Sequence, residues 1–263
     1  EGGVKGGKSF GDMPINEKLK RQLEFLGLAE CTPIQALAIP AALRGVDQEE
    51  ATGKKPSAKR RKAVLGGSHS DVMLRAPTGS GKTLAFLLPV LHRLIELNCK
   101  REDGTLAVVL SPTKELALQT AKVAQDLLRM VPSLVVTTVA GGEKPKSEKA
   151  RLRKGANLLC ATPGRLTYHL EHTSGLKTTG FRCLVLDEAD RLLDMGFEKQ
   201  VRWIHEQLAG KKAGENDLVL DGEDIVHKRR EPAQTMLVSA TLSPGVRKLA
   251  AFCLRKGAFW ADP

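Results

Sequence analysis

Aromatic residues occupy only 4% of the 263 positions, with seven Phe, two Trp and one Tyr. Modules that read bases by stacking need aromatic platforms, so this scarcity argues against an RRM-like sheet and for recognition through phosphates and sugars. No apolar run approaches the span of a bilayer, and residues 1–8 lack the apolar stretch of a signal peptide. The expectation is a soluble, non-secreted protein with no membrane partner. Cysteines are few and unpaired in pattern: Cys31, Cys99, Cys160, Cys183 and Cys253 are odd in number and never at C-x-x-C spacing. Cys160 and Cys183 sit inside apolar runs, which fits small core residues in a reducing compartment better than disulfides or zinc. The six histidines likewise show no metal-ligand spacing.

What is abundant is positive charge. The formal net charge of +11 favours a polyanionic partner, most often nucleic acid or an acidic surface. With 41% apolar residues the chain can bury a sizeable core as one large α/β domain or two small ones.

The chain is organised around Ala76-Pro77-Thr78-Gly79-Ser80-Gly81-Lys82-Thr83, between an apolar run at 71–74 and a helical run at 84–97. A strand that breaks into a Gly-rich loop and feeds a helix is a phosphate cradle: loop N–H groups and the helix N-terminus converge on one anion. Lys82 is then expected on the β- and γ-phosphates and Thr83 on Mg²⁺. Ala76 replaces the first Gly of G-x-x-x-x-G-K-[ST], and an ordinary Gly-rich βα turn is the competing reading.

Apolar strands are expected near 106–110, 134–139, 157–161, 183–186 and 235–239, with helical patterns between them. Continuous apolar runs, rather than alternating ones, predict an α/β fold with a mostly parallel sheet covered by helices on both faces. Ligands belong at the carboxyl ends of such strands. Upstream, residues 16–26 read as an amphipathic helix stopped at Gly27, and a second helix spans 35–43. The expected organisation is a flank at 1–45 that belongs to the same domain as the core, a basic disordered insertion at 46–70, and a core at 71–263 with a loop insertion at 210–232. The insertion at 46–70 reads equally as a localisation or RNA-tethering tract and as a solvated loop. No internal repeat is evident.

The second chemical motif, Asp187-Glu188-Ala189-Asp190, follows the strand at 183–186. An Asp at the end of a buried strand beside a phosphate loop can hold Mg²⁺, and the adjacent Glu can orient or deprotonate water. A solvated helix start is the competing reading.

With these residues in hand the sequence resembles the DEAD-box RNA helicases over nearly its whole length. Asp187 to Asp190 is similar to the family's name motif, residues 76–83 to its phosphate loop, and Ser239-Ala240-Thr241 to its coupling motif. The resemblance implies a RecA-like fold, ATP as cofactor with Mg²⁺, and hydroxyls of Ser239 and Thr241 on the carboxylate of Asp190. Thr32-Pro33-Ile34-Gln35 resembles the adenine-recognition motif, in which Gln35 bonds the adenine edge, Thr32 braces the phosphate loop, and Phe10 stacks on the base. Leu28 stands where an aromatic is common and Cys31 where Pro is common.

Three further motifs resemble the family's RNA track: Pro112-Thr113-Lys114, Gly141-Gly142, and Thr162-Pro163-Gly164-Arg165. Helix N-termini and Gly backbones there would donate to successive RNA phosphates. Lys114 replaces the usual Arg, keeping the charge without the bidentate fork. Residues 141–155, with Gly196-Phe197-Glu198-Lys199, are similar to nucleolar DEAD-box proteins implicated in large-ribosomal-subunit assembly. That implies pre-ribosomal RNA, single-stranded or locally duplex, in the nucleus and nucleolus. A plain physical reading of the same stretch is a solvated basic helix with Glu148 and Arg151 as an i, i+3 pair.

The family's second RecA-like domain, which supplies arginine fingers, finds no counterpart in the sequence. The expectation is a monomer that binds nucleotide and RNA weakly and turns over little ATP alone. Two rival classes remain: a scaffold with a little-used ATP site, and another P-loop ATPase such as a DNA motor.

Overall fold

The computed structural model describes residues 8–44, 70–209, 218–221, 224–227 and 233–263. The expected basic insertion, apart from Ser70, lies outside the described residues, as do residues 1–7 of the lead-in.

Seven strands form one sheet: β1 (Val72–Arg75), β2 (Ala107–Leu110), β3 (Val136–Val139), β4 (Leu158–Ala161), β5 (Cys183–Leu186), β8 (Gln234–Ser239) and β9 (Phe259–Ala261). Their order is β3-β4-β2-β5-β8-β1-β9, and every pairing is parallel. Nine helices flank it among the described residues: α1 (Glu17–Phe25), α2 (Pro33–Leu43), α3 (Lys82–Glu96), α4 (Lys114–Leu127), α5 (Pro145–Arg153), α6 (Pro163–His172), α7 (Ala189–Asp194), α8 (Glu198–Leu208) and α9 (Pro244–Cys253). Strand side chains alternate between two cores. Leu74, Val109, Val185 and Val238 pack under α1 to α4, and Met73, Val108, Leu184 and Leu237 under α5 to α9. A strand buried on both faces must be apolar at every position, which is why these runs are continuous. Within the expected loop at 210–232, β6 (Leu218–Asp221) and β7 (Asp224–His227) form a separate antiparallel pair; the rest of that stretch is outside the described residues.

Local sequence rules set the helix ends. Asn16 caps α1 by accepting from Lys18 N at 2.9 Å, and Gly27 closes it at φ 73°. Helix α2 starts at Pro33, two residues before the expected start, because Pro suits the first helical position. Gln35 thereby becomes the third residue of the helix. All five cysteines are free, and burial pushes the thiols up, Cys160 and Cys253 to about 12.

Two buried polar groups fasten the sheet. Asp71, 2% exposed, accepts from Thr235 N at 2.7 Å, Arg255 N at 2.7 Å and the Arg255 guanidinium at 2.8 Å, joining β1, β8 and the approach to β9. Gln234 Nε2 donates to Ala42 O at 3.1 Å and Ser70 O at 2.5 Å, so one amide holds the chain on both sides of residues 45–69. Arg93, also buried, donates to Ala42 O at 2.8 Å and to Gln234 Oε1.

Candidate active site

In a parallel sheet all strands end on one side, so segments remote in sequence meet there. The phosphate loop follows β1, the acidic motif follows β5, and Ser239-Ala240-Thr241 follows β8; β5, β8 and β1 are consecutive in the sheet. Ala76 N donates to Ser239 O at 3.2 Å, which ties the loop to the end of β8.

The loop turns through Gly79 and Gly81 at φ 81° and 89°, and Gly81 is the cap of α3. Lys82 Nζ donates to Ala76 O and Pro77 O, both at 2.7 Å, closing the loop on itself. Burial lowers the Lys82 pKa, opposed by the charges of Asp187, Glu188 and Asp190. The hydroxyls of Ser80 and Thr32 are buried with no hydrogen-bond partner among the described residues. Orphaned hydroxyls around a Gly-rich turn suit an oxyanion ligand.

Gln35 already has two partners for its amide within the chain. Its Oε1 accepts from Thr32 N at 2.9 Å and its Nε2 donates to Gly81 O at 3.0 Å, so its amide braces the phosphate loop, the role expected of Thr32. One N–H and one lone pair remain for a base. Phe10, expected to stack on adenine, is 2% exposed and packs in the core beneath α1.

These contacts separate the two glycines. A Cβ on Gly81 would lie 2.4 Å from Gln35 Nε2, whereas one on Gly79 meets nothing within 4 Å. Both substitutions carry the left-handed penalty of about 1–2 kcal/mol. Only Gly81→Ala also expels the Gln35 amide, for about 1–3 kcal/mol more. Gly81→Ala is therefore expected to lose the greater stability and nucleotide affinity, measured by urea unfolding and calorimetry.

Asp187 is 7% exposed at the end of β5, its N donating to Leu110 O at 2.9 Å. Burial, then the neighbouring Glu188 charge, pushes its pKa up to about 7, against the pull of Lys82. The folded chain holds this proton more tightly than the unfolded chain. The Asp187 contribution should thus make stability fall as pH rises from 3.8 to about 7. Unfolding of Asp187→Asn, which cannot titrate, should lack that component across the same range.

Glu188 adopts φ 49°, a strained value for a non-Gly residue, and accepts from Arg191 Nη1 at 2.6 Å. Asp190 Oδ2 accepts from Ala240 N at 3.2 Å, Thr241 N at 3.1 Å and Thr241 Oγ1 at 3.1 Å. Burial works against its charge, yet hydrogen bonds from Arg191 N–H, Ser239 and Thr241 hold its pKa below the ordinary value. The expected hydroxyl contacts are present, and three backbone N–H groups, those of Arg191, Ala240 and Thr241, join them.

Among the described residues no three His, Cys, Asp or Glu side chains gather to bind a metal. Thr83 and Asp187 supply two oxygens. Mg²⁺ keeps several waters and takes phosphate oxygens, so two donors beside a phosphate loop fit a nucleotide-borne ion. The raised pKa of Asp187 marks a buried carboxylate that a cation would stabilise in its charged form.

The outer motifs occupy the same side of the sheet. Pro112 is buried, Thr113 caps α4 by accepting from Leu116 N at 3.3 Å, and Lys114 is exposed. A Cβ on Gly142 would meet Lys114 Nζ at 2.4 Å, so the motifs after β2 and β3 touch. Gly141 and Gly142 take φ 80° and 85°; Thr162 and Pro163 open α6 beside exposed Gly164. Arg165 is already engaged, donating to Glu148 at 2.6 Å and lying 5.1 Å over Tyr168.

The expected Glu148–Arg151 pair does not form. Glu148, 1% exposed, faces α6 and bonds Arg165 and His169, while Arg151 pairs with Glu143 at 2.9 Å and donates to Thr138 O. A buried carboxylate must find cations or donors, and those lie on the neighbouring helix. Sequence reasoning also missed Arg191, although a base three residues after Glu188 on a helix was a legible signal.

A family model described as DEAD/DEAH box helicase matches residues 32–249. Similar curated proteins include the ATP-dependent RNA helicase DBP7 of Gibberella zeae, 39% identical over 259 residues, covering 96% of this chain and 31% of that protein. ATP-dependent RNA helicase dbp-7 of Neurospora crassa is 45% identical over 231 residues, covering 80% of this chain and 28% of that one. The chain thus spans about a third of the length of these relatives. Among solved structures, the RNA helicase Prp28 from Chaetomium thermophilum bound to ADP matches with a TM-score of 0.68 and 30% identity, over 97% of this chain and 51% of that one. The matched span and the convergence of the motifs on one end of a parallel RecA-like sheet lead to one conclusion: the chain belongs to the DEAD/DEAH box helicase family.

Proposed function

We propose that this chain is the ATP-binding, first RecA-like domain of an RNA helicase whose ATP hydrolysis remodels RNA during ribosome biogenesis. The observation that carries this reading is the bonded circuit from Gln35 through Gly81 and from Ala76 through Ser239 to Asp190. The adenine-recognition motif, the phosphate loop, the coupling motif and Asp190 are thereby bonded to one another.

In this reading the N–H groups of residues 78–83 hold the ATP phosphates, and Lys82 exchanges its bonds to Ala76 O and Pro77 O for phosphate oxygens. Thr83 and Asp187 hold Mg²⁺, which supplies charge neutralisation at the phosphates. Glu188 positions water and accepts its proton. The Asp190 contacts to Ser239, Ala240 and Thr241 carry the state of the acidic motif to β8. Lys114, Gly141, Gly142 and Thr162 to Arg165 bind the backbone of one RNA strand. A second RecA-like domain supplies the remaining half of both sites, and closure of the two on a strand opens a short duplex. The domain is read as residues 1–45 and 71–263, with insertions at 46–70 and 210–232.

Similarity to proteins named ATP-dependent RNA helicases supports RNA as substrate, and the resemblance at 141–155 to nucleolar DEAD-box proteins supports pre-ribosomal RNA and the nucleolus. The working state is a monomer. No helix among the described residues is long and apolar enough to cross a membrane.

The test is calorimetric titration of ADP, GDP and CDP with Mg²⁺ into the chain and its Gln35→Ala variant. Selective binding of ADP supports the adenine site. A variant that loses the preference reads the base through Gln35; one that loses all affinity equally uses Gln35 as the loop brace. No binding by the unmodified chain would overturn the ATP-site reading.

A further inference from the structure

Helices α5 and α6 each follow one parallel strand and precede the next, so both run from the carboxyl end of the sheet to its amino end. Their heads lie at the proposed RNA track. Their outward face is basic: Lys146 and Lys149 of α5 are exposed or half-exposed, while Glu148 is buried against Arg165 and His169. On α6, Arg165, Tyr168 and His172 fall on one stripe at spacings of three and four. Tyr168 lies 5.1 Å from Arg165 and 5.3 Å from Lys149, and it stacks on exposed His172 with ring centres 4.8 Å apart and planes at 17°.

At the foot of both helices is a pocket of about 160 Å³ lined by Arg101, Arg153, Lys154 and Lys177, with Glu102 beside them. Glycines let the segments that carry these cations pack closely. A Cβ on Gly104 would meet Lys177 at 2.6 Å, and one on Gly155 would meet Arg101 O at 2.5 Å. Arg101 Nε donates to Lys154 O and Gly155 O at 2.8 and 3.1 Å, which accounts for it as a helix cap. Arg153, Lys154 and Lys177 are exposed and take part in no ion pair among the described residues.

We infer that this stripe is a second RNA-binding surface, which continues the proposed track down α5 and α6 and seats a backbone phosphate in the basic pocket. The inference rests on the RNA reading of the track above it. Cations in line with a stacked aromatic pair suit a single strand, whose phosphates and bases need both. Helices of nine and ten residues rise about 14–15 Å, room for about four further phosphates at ~3.4 Å per stacked nucleotide. An acidic protein segment would be satisfied by the charges alone and leaves the aromatic stack without a role.

The test is fluorescence anisotropy of the 263-residue chain with labelled single-stranded RNA of about 6 and about 14 nucleotides over a salt series. A variant carrying both Arg153→Gln and Lys177→Gln is expected to bind the longer strand about tenfold more weakly, with a salt slope smaller by about 0.7 for the one phosphate released, and the shorter strand unchanged. Lys114→Ala is expected to weaken both strands. His172→Ala, on the stripe but not in the pocket lining, should weaken only the longer strand and covers the case of a double variant that fails a thermal-melting check. Wild-type affinity and slope for the longer strand in both the double variant and His172→Ala would overturn the inference. So would no RNA binding by the unmodified chain. If Lys114→Ala changes neither strand while the double variant loses the longer one, the track reading fails and this surface stands.

Discussion

Replacing Glu188 by Gln in the full-length protein is expected to leave ATP affinity unchanged and to slow RNA-stimulated turnover by about 10²–10⁴-fold. The amide keeps the shape of the carboxylate and the strained φ of 49°, but it cannot take a proton from water. Loss of the Arg191 ion pair adds little, because the Arg191 side chain is 53% exposed and exposed pairs contribute about 0–1 kcal/mol. Nucleotide calorimetry beside steady-state phosphate release separates binding from chemistry. Turnover at the wild-type rate would remove Glu188 from the mechanism and move the protein toward a scaffold that hardly uses its ATP site.

Asp71→Ala is expected to destabilise the chain by about 3 kcal/mol, the lower end of the cost of breaking a buried pair. Asp71 is buried, but its partner Arg255 is 33% exposed, so water softens the loss on that side. Most of the cost comes from the N–H of Thr235, which loses its acceptor inside the sheet. Asp262→Ala is the matched comparison, since it removes the Arg75–Asp262 pair, with side chains 45% and 47% exposed. That pair should contribute about 0–1 kcal/mol. Urea unfolding of both variants checks the contrast, and equal losses would mean that Asp71 acts only as a surface charge.

Both expectations depend on contacts that no local pattern announces. Asp71 and Arg255 are separated by 184 positions, and Gln35 and Gly81 by 46. The strands themselves were legible. The segment 183–186 is the observed β5, and the others agree to within two residues, because burial on both faces forces an uninterrupted apolar run. The phosphate loop and acidic motif were legible because their chemistry tolerates few residue types at fixed spacing.

Partner choice was not legible. Glu148 and Arg151 satisfy the helical spacing for a pair, yet Glu148 turns inward to Arg165, 17 positions away, and Arg151 turns to Glu143. Spacing says which residues can share a helix face; it does not say which face another helix covers. Phe10 and Gln35 follow the same logic. Their types suit a base, but folding buries the ring and engages the amide with Thr32 and Gly81.

The sequence by itself thus determined the parallel α/β fold and the place of the Gly-rich loop and the acidic motif at strand ends, since these follow from periodicity and from side-chain chemistry. Only the tertiary structure decided which groups meet. Sheet order β5-β8-β1 brings the acidic motif, the coupling motif and the phosphate loop together, and the descent of α5 and α6 links the track to a basic pocket. The physical reason is that hydrogen bonds and ion pairs act within a few ångströms, and distance along the chain does not determine distance in space.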